Sequence, residues 1–180
     1  SNMKMFKYCW VWDKGVGVNF MHAKRQPLKT TEDVVVFARG TACYNPQMQK
    51  KDKPQKKSNN NMGESSGYSV DKTDKRYVGK VYTESYPNVL LSFSSRSKGS
   101  RGLHPTQKPV ALMEYLIRTY TNEGDTVLDF AAGSFTTAVA CVNTGRDCIA
   151  IEQEREYYEI GETRVADARK AKASEQPKLP

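Results

Sequence analysis

A short turn of small residues and an acid at the end of the following strand are the residues best placed to do chemistry. The turn covers residues 129–135, with Gly133 and Ser134 near its end, and Glu152 follows the glycine by nineteen residues. Backbone N–H groups in such a turn can approach a ligand closely, and a carboxylate at this spacing can accept hydrogen bonds from ribose hydroxyls. The pattern indicates a nucleoside-binding site. An ordinary strand-end carboxylate is the alternative interpretation of Glu152 taken alone.

The composition of the turn distinguishes between nucleoside ligands. Residues 129–135 contain a single glycine, so the G-x-G-x-x-G fingerprint of dinucleotide-binding proteins is absent. Asp129 would lie badly beside a pyrophosphate, whereas it suits a cationic ligand. S-adenosylmethionine carries a sulfonium and an ammonium group, together with a carboxylate that backbone donors can hold. The turn therefore favours S-adenosylmethionine over a dinucleotide.

Hydrophobic spacing predicts the elements that must position this turn. Apolar residues recur at helical intervals after Pro109, a residue that suits a first helical turn. Residues 126–130 predict a short buried strand, and a helix then runs through Cys141 to a C-cap at Gly145. A strand at residues 148–152 and a helix at residues 154–170 follow. This order predicts two parallel strands joined by a right-handed crossover.

The amino-terminal zone predicts two further strands, and the middle zone carries most of the charge. Residues 7–12 include three aromatic side chains and predict a short strand. The apolar run within residues 33–38 predicts a second strand that is buried on both faces. The chain has a net charge of +8, and residues 41–101 account for +7 of it, with twelve Lys and Arg against five Asp and Glu. Such a segment suits a polyanion, with a solvated loop as the alternative interpretation. Residues 47–66 are nearly free of apolar side chains and are predicted to be mobile.

Composition also limits the class of protein. The 180 residues suit one domain, and no apolar run approaches the roughly 20 residues that cross a bilayer. No secretory leader is recognised, and Ser1 and Asn2 are interpreted as the remnant of a tag. The cysteines and histidines show no metal-binding spacing, which predicts reduced, structural thiols in a cytoplasmic protein without a metal. The four cysteines are Cys9, Cys43, Cys141 and Cys148.

Two motifs, in order and one helix apart, resemble a known family. Residues 103–110 read LHPTQKPV and residues 126–137 read TVLDFAAGSFTT. They resemble the permuted, beta-type DNA amino-methyltransferases of bacteria and phages, including those of restriction-modification systems, which methylate adenine N6 or cytosine N4. Shorter segments are also similar to this family, at residues 12–14, 23–27, 32–37 and 44–46. The likeness covers most of the chain and leaves out residues 47–77.

The resemblance implies a fold, a set of boundaries and a partner. The expected fold class is α/β, an incomplete Rossmann-like methyltransferase sheet that uses S-adenosylmethionine, with a basic, partly disordered insertion. Residues 3–40 and 103–172 would form the partial catalytic-domain core, and residues 41–102 the target-recognition insertion. The partner would be double-stranded DNA in a bacterial or phage setting. A sheet without its early strands would expose an edge and apolar surface, which predicts self-association as a homodimer.

The resemblance also assigns site residues. At the methionine end of the cofactor it places His104, Thr106, Lys108 and Pro109. In the turn beneath the cofactor it places Asp129, Gly133 and Ser134, and at the ribose it places Glu152. A capping role for His104 and a solvent-facing position for Lys108 are the alternative interpretations. In the basic insertion, phosphate contacts are expected from Arg96, Lys98 and Arg101.

The chain departs from the family at two points. Phe135 occupies the position of a second glycine, where its ring is expected to narrow the pocket or shift the turn. The catalytic motif, Asp, Asn or Ser followed by Pro-Pro and an aromatic residue, is absent because no two prolines are adjacent. The resemblance therefore implies no catalytic residue in this chain and an inactive isolated chain, with adenine N6 the favoured target of the intact enzyme. A decayed or non-catalytic DNA- or cofactor-binding domain, or an unrelated α/β binding module, is the alternative.

Overall fold

The computed structural model describes residues 2–56, 81–95 and 107–175, which fall into two units. One unit comprises Ser1–Asn45 with Asn88–Pro180, and the other is Pro46–Pro87. The strands are β1 (Phe6–Val18), β2 (Lys29–Phe37), β3 (Gln49–Lys56), β4 (Val81–Ser85), β5 (Leu90–Ser92), β6 (Thr126–Asp129) and β7 (Asp147–Ala150). The helices are α1 (Val110–Tyr120), α2 (Thr136–Thr144) and α3 (Arg155–Glu175). None of the helices in these ranges is long and apolar enough to span a membrane.

The amino-terminal strands form a three-stranded sheet in the order β2, β1, β5. β1 pairs antiparallel with β2 and parallel with β5. One face packs on α1 through a cluster of Trp10, Trp12, Val36, Leu91 and Leu112. The expected burial of β2 on both faces is wrong, because Val35 and Phe37 are 46% and 51% exposed. β2 is an edge strand of this sheet that is covered on one side, so only alternate residues are buried.

The predicted strand–helix–strand unit is confirmed. β6 and β7 are parallel, with Thr126 opposite Asp147 and Asp129 opposite Ala150, and α2 connects them. Ala140 and Cys141 on α2 are fully buried and pack against Ile117 of α1. Gly145 ends α2 in the left-handed conformation, with a φ of 74°. This arrangement places the ends of β6 and β7 side by side, where a ligand-binding turn is expected.

The helix α3 packs along α2 and runs to Glu175, five residues beyond its predicted end at residue 170. Its inward face includes Tyr157, Ile160, Gly161, Arg164 and Val165, of which Gly161 is the buried member and the others are half-buried. A glycine inside a helix usually costs stability because it loses more backbone entropy than other residues. A buried glycine at this position therefore calls for a packing reason.

The second unit contains a two-stranded antiparallel ribbon of β3 and β4, in which Gln49 lies opposite Ser85 and Lys56 opposite Val81. The expectation of a mobile segment at residues 47–66 is wrong for Gln49–Lys56, which forms β3. Its pairing is made by backbone groups, which polar residues supply as well as apolar ones do, so an apolar pattern is not required for β3 to pair. The remainder of that segment, residues 57–66, lies outside the described residues.

Candidate functional site

A cavity of about 190 Å³ lies where β6 runs into α2. In α/β sheets, ligands bind at the carboxyl ends of the strands, and this cavity occupies that place. Small residues of the turn form one side, and the residues just before α1 form the other. The lining residues are Gln107, Lys108, Met113, Asp129, Ala131, Ala132, Gly133, Ser134, Thr136 and Thr137.

Asp129 fixes the first half of the turn. Its Oδ1 accepts a hydrogen bond from the backbone N–H of Ala131 at 3.2 Å, and its Oδ2 accepts one from Thr137 Oγ1 at 2.5 Å. The carboxylate thus ties the end of β6 to the first turn of α2. Thr137, the second residue of α2, therefore donates to the acid at the end of the strand. An aspartate held in this way presents a fixed negative charge at the wall of the cavity.

Glu152 fixes the second half of the turn. Its Oε2 accepts a hydrogen bond from the backbone N–H of Gly133 at 2.7 Å, and its Oε1 accepts one from Glu154 N–H at 2.9 Å. A backbone hydrogen bond from Ala132 N–H to the carbonyl of Ile151, at 3.0 Å, lies beside these. Both oxygens of the Glu152 carboxylate therefore hold backbone N–H groups, one in the turn and one just before α3.

Ser134 connects the turn to the segment before α1 and to α3. Its hydroxyl donates to Gln107 Oε1 at 3.0 Å, while the Arg164 guanidinium donates to the Ser134 carbonyl and, at 3.0 Å, to Ser134 Oγ. Burial lowers the pKa of Arg164. Gln107 and Arg164 were not among the predicted site residues. Gln107 lies within the quoted LHPTQKPV motif, and the helical spacing of α3 places Arg164 on its inward face, so signals for both were present.

Gln107 has a second property that bears on ligand binding. Its Nε2 is buried and has no hydrogen-bond partner among the described residues, although its Oε1 accepts from Ser134. A buried donor without an acceptor is unfavourable, and native structures rarely retain one without a function. Gln107 is also among the residues that line the cavity.

Lys108 lines the cavity, but its ammonium group is engaged elsewhere. Its Nζ lies 2.8 Å from Glu32 Oε2 and 5.5 Å from the centre of the Trp12 ring. Lys14 Nζ, on a side chain only 6% exposed, lies 3.4 Å from the other oxygen of Glu32. Burial acts to raise the pKa of Glu32, but the hydrogen bonds and charges of the two lysines outweigh it and lower that pKa. The described geometry thus directs the Lys108 charge toward Glu32.

The remaining predicted site residues fall into two groups. Pro109 is buried at the N-cap of α1 and is not among the lining residues of the cavity. Five others lie outside the described residues: His104, Thr106, Arg96, Lys98 and Arg101. Within the described ranges, no group of three His, Cys, Asp or Glu side chains is arranged to hold a metal ion.

Phe135 does not line the cavity, contrary to the expectation that its ring would narrow the pocket. Its side chain is 6% exposed and packs beside Ala132 and Ala138, with Val165 of α3 against the same cluster. The backbone of Phe135 is left-handed, with a φ of 58° and a ψ of 35°, a conformation that glycine adopts easily. The turn therefore keeps the backbone conformation that a glycine would adopt, and the Phe135 ring packs against α3.

The chain is similar in sequence to known DNA methylases. A family model described as a DNA methylase, of the N6/N4 amino-methyltransferase type, matches residues 4–163. The chain is 45% identical over 76 residues to the DNA adenine methyltransferase YhdJ of Escherichia coli K12, covering 42% of this chain and 26% of that protein. It is 47% identical over 64 residues to the type II methyltransferase M2.DpnII of Streptococcus pneumoniae, covering 36% and 24% respectively. These matches span about a quarter of the length of the curated relatives.

Solved structures extend the likeness to the fold. The crystal structure of the M1.HpyAVI–SAM complex aligns with a TM-score of 0.58 and 28% identity, over 89% of this chain and 62% of that one. PvuII DNA methyltransferase, described as cytosine-N4-specific, aligns with a TM-score of 0.56 over 92% of this chain and 57% of that one. Its 18% identity makes it a likeness of fold. The described α/β arrangement is therefore that of Rossmann-like methyltransferases.

Proposed function

The chain belongs to the N6/N4 DNA methylase family, and from that premise we propose that it forms the S-adenosylmethionine-binding part of a DNA amino-methyltransferase. The observation that carries the proposal is the turn at the carboxyl end of β6, which Glu152 holds through the Gly133 N–H. Two acids, Asp129 and Glu152, are fixed at this turn. Such a site suits a cofactor with a sulfonium, an ammonium group and a ribose.

The side chains at the cavity suit the chemical groups of S-adenosylmethionine, and the cavity is large enough for one end of that molecule. The buried Gln107 Nε2 is a donor that the cofactor's carboxylate would satisfy, while Gly133 and Ser134 form the floor of the cavity. The described cavity, about 190 Å³, is smaller than the roughly 300–1,000 Å³ of pockets that enclose a whole ligand. It would hold one end of the cofactor, and His104, Thr106 and Pro109 remain proposed neighbours. The bound cofactor supplies the methyl group.

The proposed partner is double-stranded DNA, and the proposed target is adenine N6. The Pro46–Pro87 unit presents three exposed lysines on β3, and Arg96, Lys98 and Arg101 follow it in the sequence. Lysine and arginine in such numbers favour contacts with phosphates. Adenine is favoured because the relative from Escherichia coli, at 45% identity, is a DNA adenine methyltransferase. The bacterial origin of the curated relatives supports a bacterial setting.

The isolated chain is proposed to bind the cofactor without transferring its methyl group. An exocyclic amino group is a poor nucleophile, because its lone pair is delocalised into the ring of the base. The family's Pro-Pro-aromatic motif engages that amino group after the base has left the duplex, and the eight prolines of this chain include no adjacent pair. The same absence favours a second candidate, a non-catalytic domain that binds DNA or cofactor. A radiolabelled methyl-transfer assay on duplex DNA should therefore give no signal for this chain alone.

The test of the cofactor site is titration calorimetry with S-adenosylmethionine. Glu152→Ala should weaken binding by about tenfold or more. It removes a charged hydrogen-bond acceptor, and a hydrogen bond to a charged group contributes about 1.5–3 kcal/mol. Glu123→Ala is the matched control, since Glu123 is an exposed acid in the turn before β6, at the opposite end of that strand. Absence of binding by the folded wild-type chain, or equal binding by both variants, would contradict the proposal.

A further inference from the structure

Phe135 adopts a backbone conformation that bulky residues rarely hold. Its φ of 58° and ψ of 35° lie in the left-handed region, and the only other non-glycine residue with positive φ in the described ranges is Asn19. Asparagine tolerates this region through local hydrogen bonds, whereas phenylalanine has no such compensation. A strained residue of this kind persists only where its surroundings determine its position. The contacts of Phe135 should therefore reveal what holds the turn.

The ring of Phe135 lies directly on the backbone of α3 at Gly161. A Cβ placed on Gly161 would lie 2.6 Å from Cδ1 and 2.7 Å from Cδ2 of Phe135, and closer still to Cγ. Such distances are far shorter than any van der Waals contact between carbon atoms, about 3.5–4.0 Å at best separation. Tyr158, one turn earlier, meets the same ring edge-on, with ring centres 5.4 Å apart. Gly161 is thus the helix position that makes room for Phe135.

Arg164 contacts the turn on both sides of Phe135. Its guanidinium donates to the Ser134 carbonyl, to Ser134 Oγ at 3.0 Å and to Thr136 Oγ1 at 3.3 Å. Arg164 lies three residues after Gly161, so both face the turn from the same side of α3. The residue before Phe135 and the residue after it are therefore both bonded to α3.

We infer that α3 positions the cofactor turn, with Gly161 receiving the Phe135 ring and Arg164 holding the residues on either side of it. The inference rests on the proposed cofactor site and names positioning residues for it, since neither Gly161 nor Arg164 lines the cavity. In this chain a large residue stands where the turn requires a glycine-like backbone. A glycine in the facing helix compensates for it. Phe135 and Gly161 form a matched pair, and their substitutions must be coupled.

The test uses Gly161→Ala, Phe135→Gly and the double variant in the full chain. Gly161→Ala should weaken S-adenosylmethionine binding by about tenfold, because the added methyl group displaces the Phe135 ring and with it the turn. Residues in contact are commonly coupled by an energy of this size. Phe135→Gly should also weaken binding, because it removes the buried ring that packs on α3. The double variant should lose much less binding than the sum of the two single losses, because without the ring the added methyl group meets no clash. Ala171→Ser, which adds one atom at an exposed position of α3, is the control and should bind as the wild type does. Wild-type affinity in folded Gly161→Ala would overturn the inference.

A second readout needs no ligand and separates this inference from the proposed function. Hydrogen exchange of the Gly133 and Phe135 amides, which donate to Glu152 and to the Ala132 carbonyl, reports the order of the turn directly. Exchange at both amides should become faster in Gly161→Ala, and the double variant should show less than the sum of the increases in the two single variants. Arg164→Gln, which leaves the Gly161 packing intact, should quicken it as well and serves if Gly161→Ala does not fold. Unchanged exchange in Arg164→Gln and in folded Gly161→Ala would overturn the inference, whether or not the wild type binds S-adenosylmethionine.

Discussion

At the scale of single residues, one carboxylate serves two lysines beside the candidate site. Glu32 lies between Lys14 and Lys108, and Lys14 is buried along β1. A buried ammonium group needs a partner, since removing one member of a buried ion pair leaves an uncompensated charge. Lys108 lines the cavity while its charge is bound to Glu32. Glu32 therefore determines where the end of Lys108 lies.

Replacing Glu32 with glutamine should destabilise the protein in a pH-dependent manner. The pKa of Glu32 in the folded state is lowered below 4.5. Ionised Glu32 therefore adds to the free energy of unfolding above that pH, and this stabilisation is lost as the pH falls through the lowered pKa. At pH 7, Glu32→Gln should cost about 1–3 kcal/mol, a fall in Tm of roughly 3–10 °C. Thermal unfolding of both proteins from pH 7 to pH 3 measures this. A Tm difference that does not shrink toward pH 3, or an equal effect of exposed Glu123→Gln, would contradict it.

The cysteines should differ sharply in reactivity. Cys43 is exposed, whereas Cys141 is fully buried in the packing of α2. The hydrogen bond with Cys148 and burial both raise the pKa of Cys141. Since the thiolate is the reactive form, iodoacetamide should modify Cys43 first and leave Cys141 intact in the native protein. Peptide mapping by mass spectrometry checks the order, with the denatured chain as the control. Equal rates at the two thiols in the native chain would refute the packing.

At the scale of elements, α2 depends on how its carboxyl end is closed. Gly145 has a φ of 74°, and its N–H donates to the carbonyl of Val142. Lys172 of α3 donates to the same carbonyl at 2.5 Å. The last carbonyls of a helix lack partners within the helix, so such bonds stabilise the end. A left-handed residue is therefore required where α2 turns toward β7.

Gly145→Ala should lower stability by about 1 kcal/mol, because a Cβ disfavours the left-handed region. The cost is conformational, since the nearest atom to an added Cβ is Lys172 Nζ at 3.9 Å. Gly145→Asn is the matched control and should lose less, because asparagine adopts this conformation more readily. Urea unfolding of the three proteins provides the comparison. Equal losses in both variants would show that contacts, rather than backbone conformation, determine the effect.

The strand β3 is the element on which the proposed DNA contact can be tested. The triple variant Lys50→Gln, Lys53→Gln and Lys56→Gln removes its exposed positive charges. Duplex binding should weaken, and the slope of log affinity against log salt should fall by up to about 3, because each phosphate contact releases counterions. Fluorescence anisotropy with a labelled duplex at several salt concentrations measures both.

A charge-matched control separates local contact from net charge. Arg155, Arg169 and Lys170 are exposed on α3, and changing all three to glutamine removes the same charge as the β3 variant. If β3 contacts the duplex, this control should retain most of the wild-type salt slope. Equal slopes for the two triple variants would assign the effect to net charge alone and contradict a contact by β3.

The elements around the turn could be predicted because their signals are local. The apolar run at residues 126–130 and the glycine at position 145 mark β6 and the end of α2, within one residue of the predicted bounds. The strand β3 was missed because it carries almost no apolar side chains, and its backbone pairs with a partner some 30 residues away. The packing of Phe135 on Gly161 depends on a contact between separate elements, which no local pattern reports.

At the scale of the whole molecule, one face of the β6–β7 pair stands out. α2 covers the side that bears Val127 and Cys148. The opposite side presents four apolar residues, each more than half exposed: Leu128, Phe130, Ile149 and Ile151. Within the described residues, β6 and β7 form a two-stranded sheet, so each also has an unpaired edge. Exposed apolar surface beside open strand edges favours association between chains.

We expect this 180-residue chain to self-associate through this face, with a second copy of the same chain as the partner. The double variant Leu128→Thr and Ile149→Thr should shift it toward the monomer, because threonine is a β-branched residue that suits strands and exposes less apolar surface. At concentrations low enough for the wild type to be monomeric, its Tm should equal that of the wild type within a few degrees, since both side chains are exposed in the folded chain. Sedimentation velocity over a range of concentrations distinguishes these states. The control, Val35→Thr with Phe37→Thr on exposed positions of β2, should associate as the wild type does, and a wild type that stays monomeric throughout would refute the expectation.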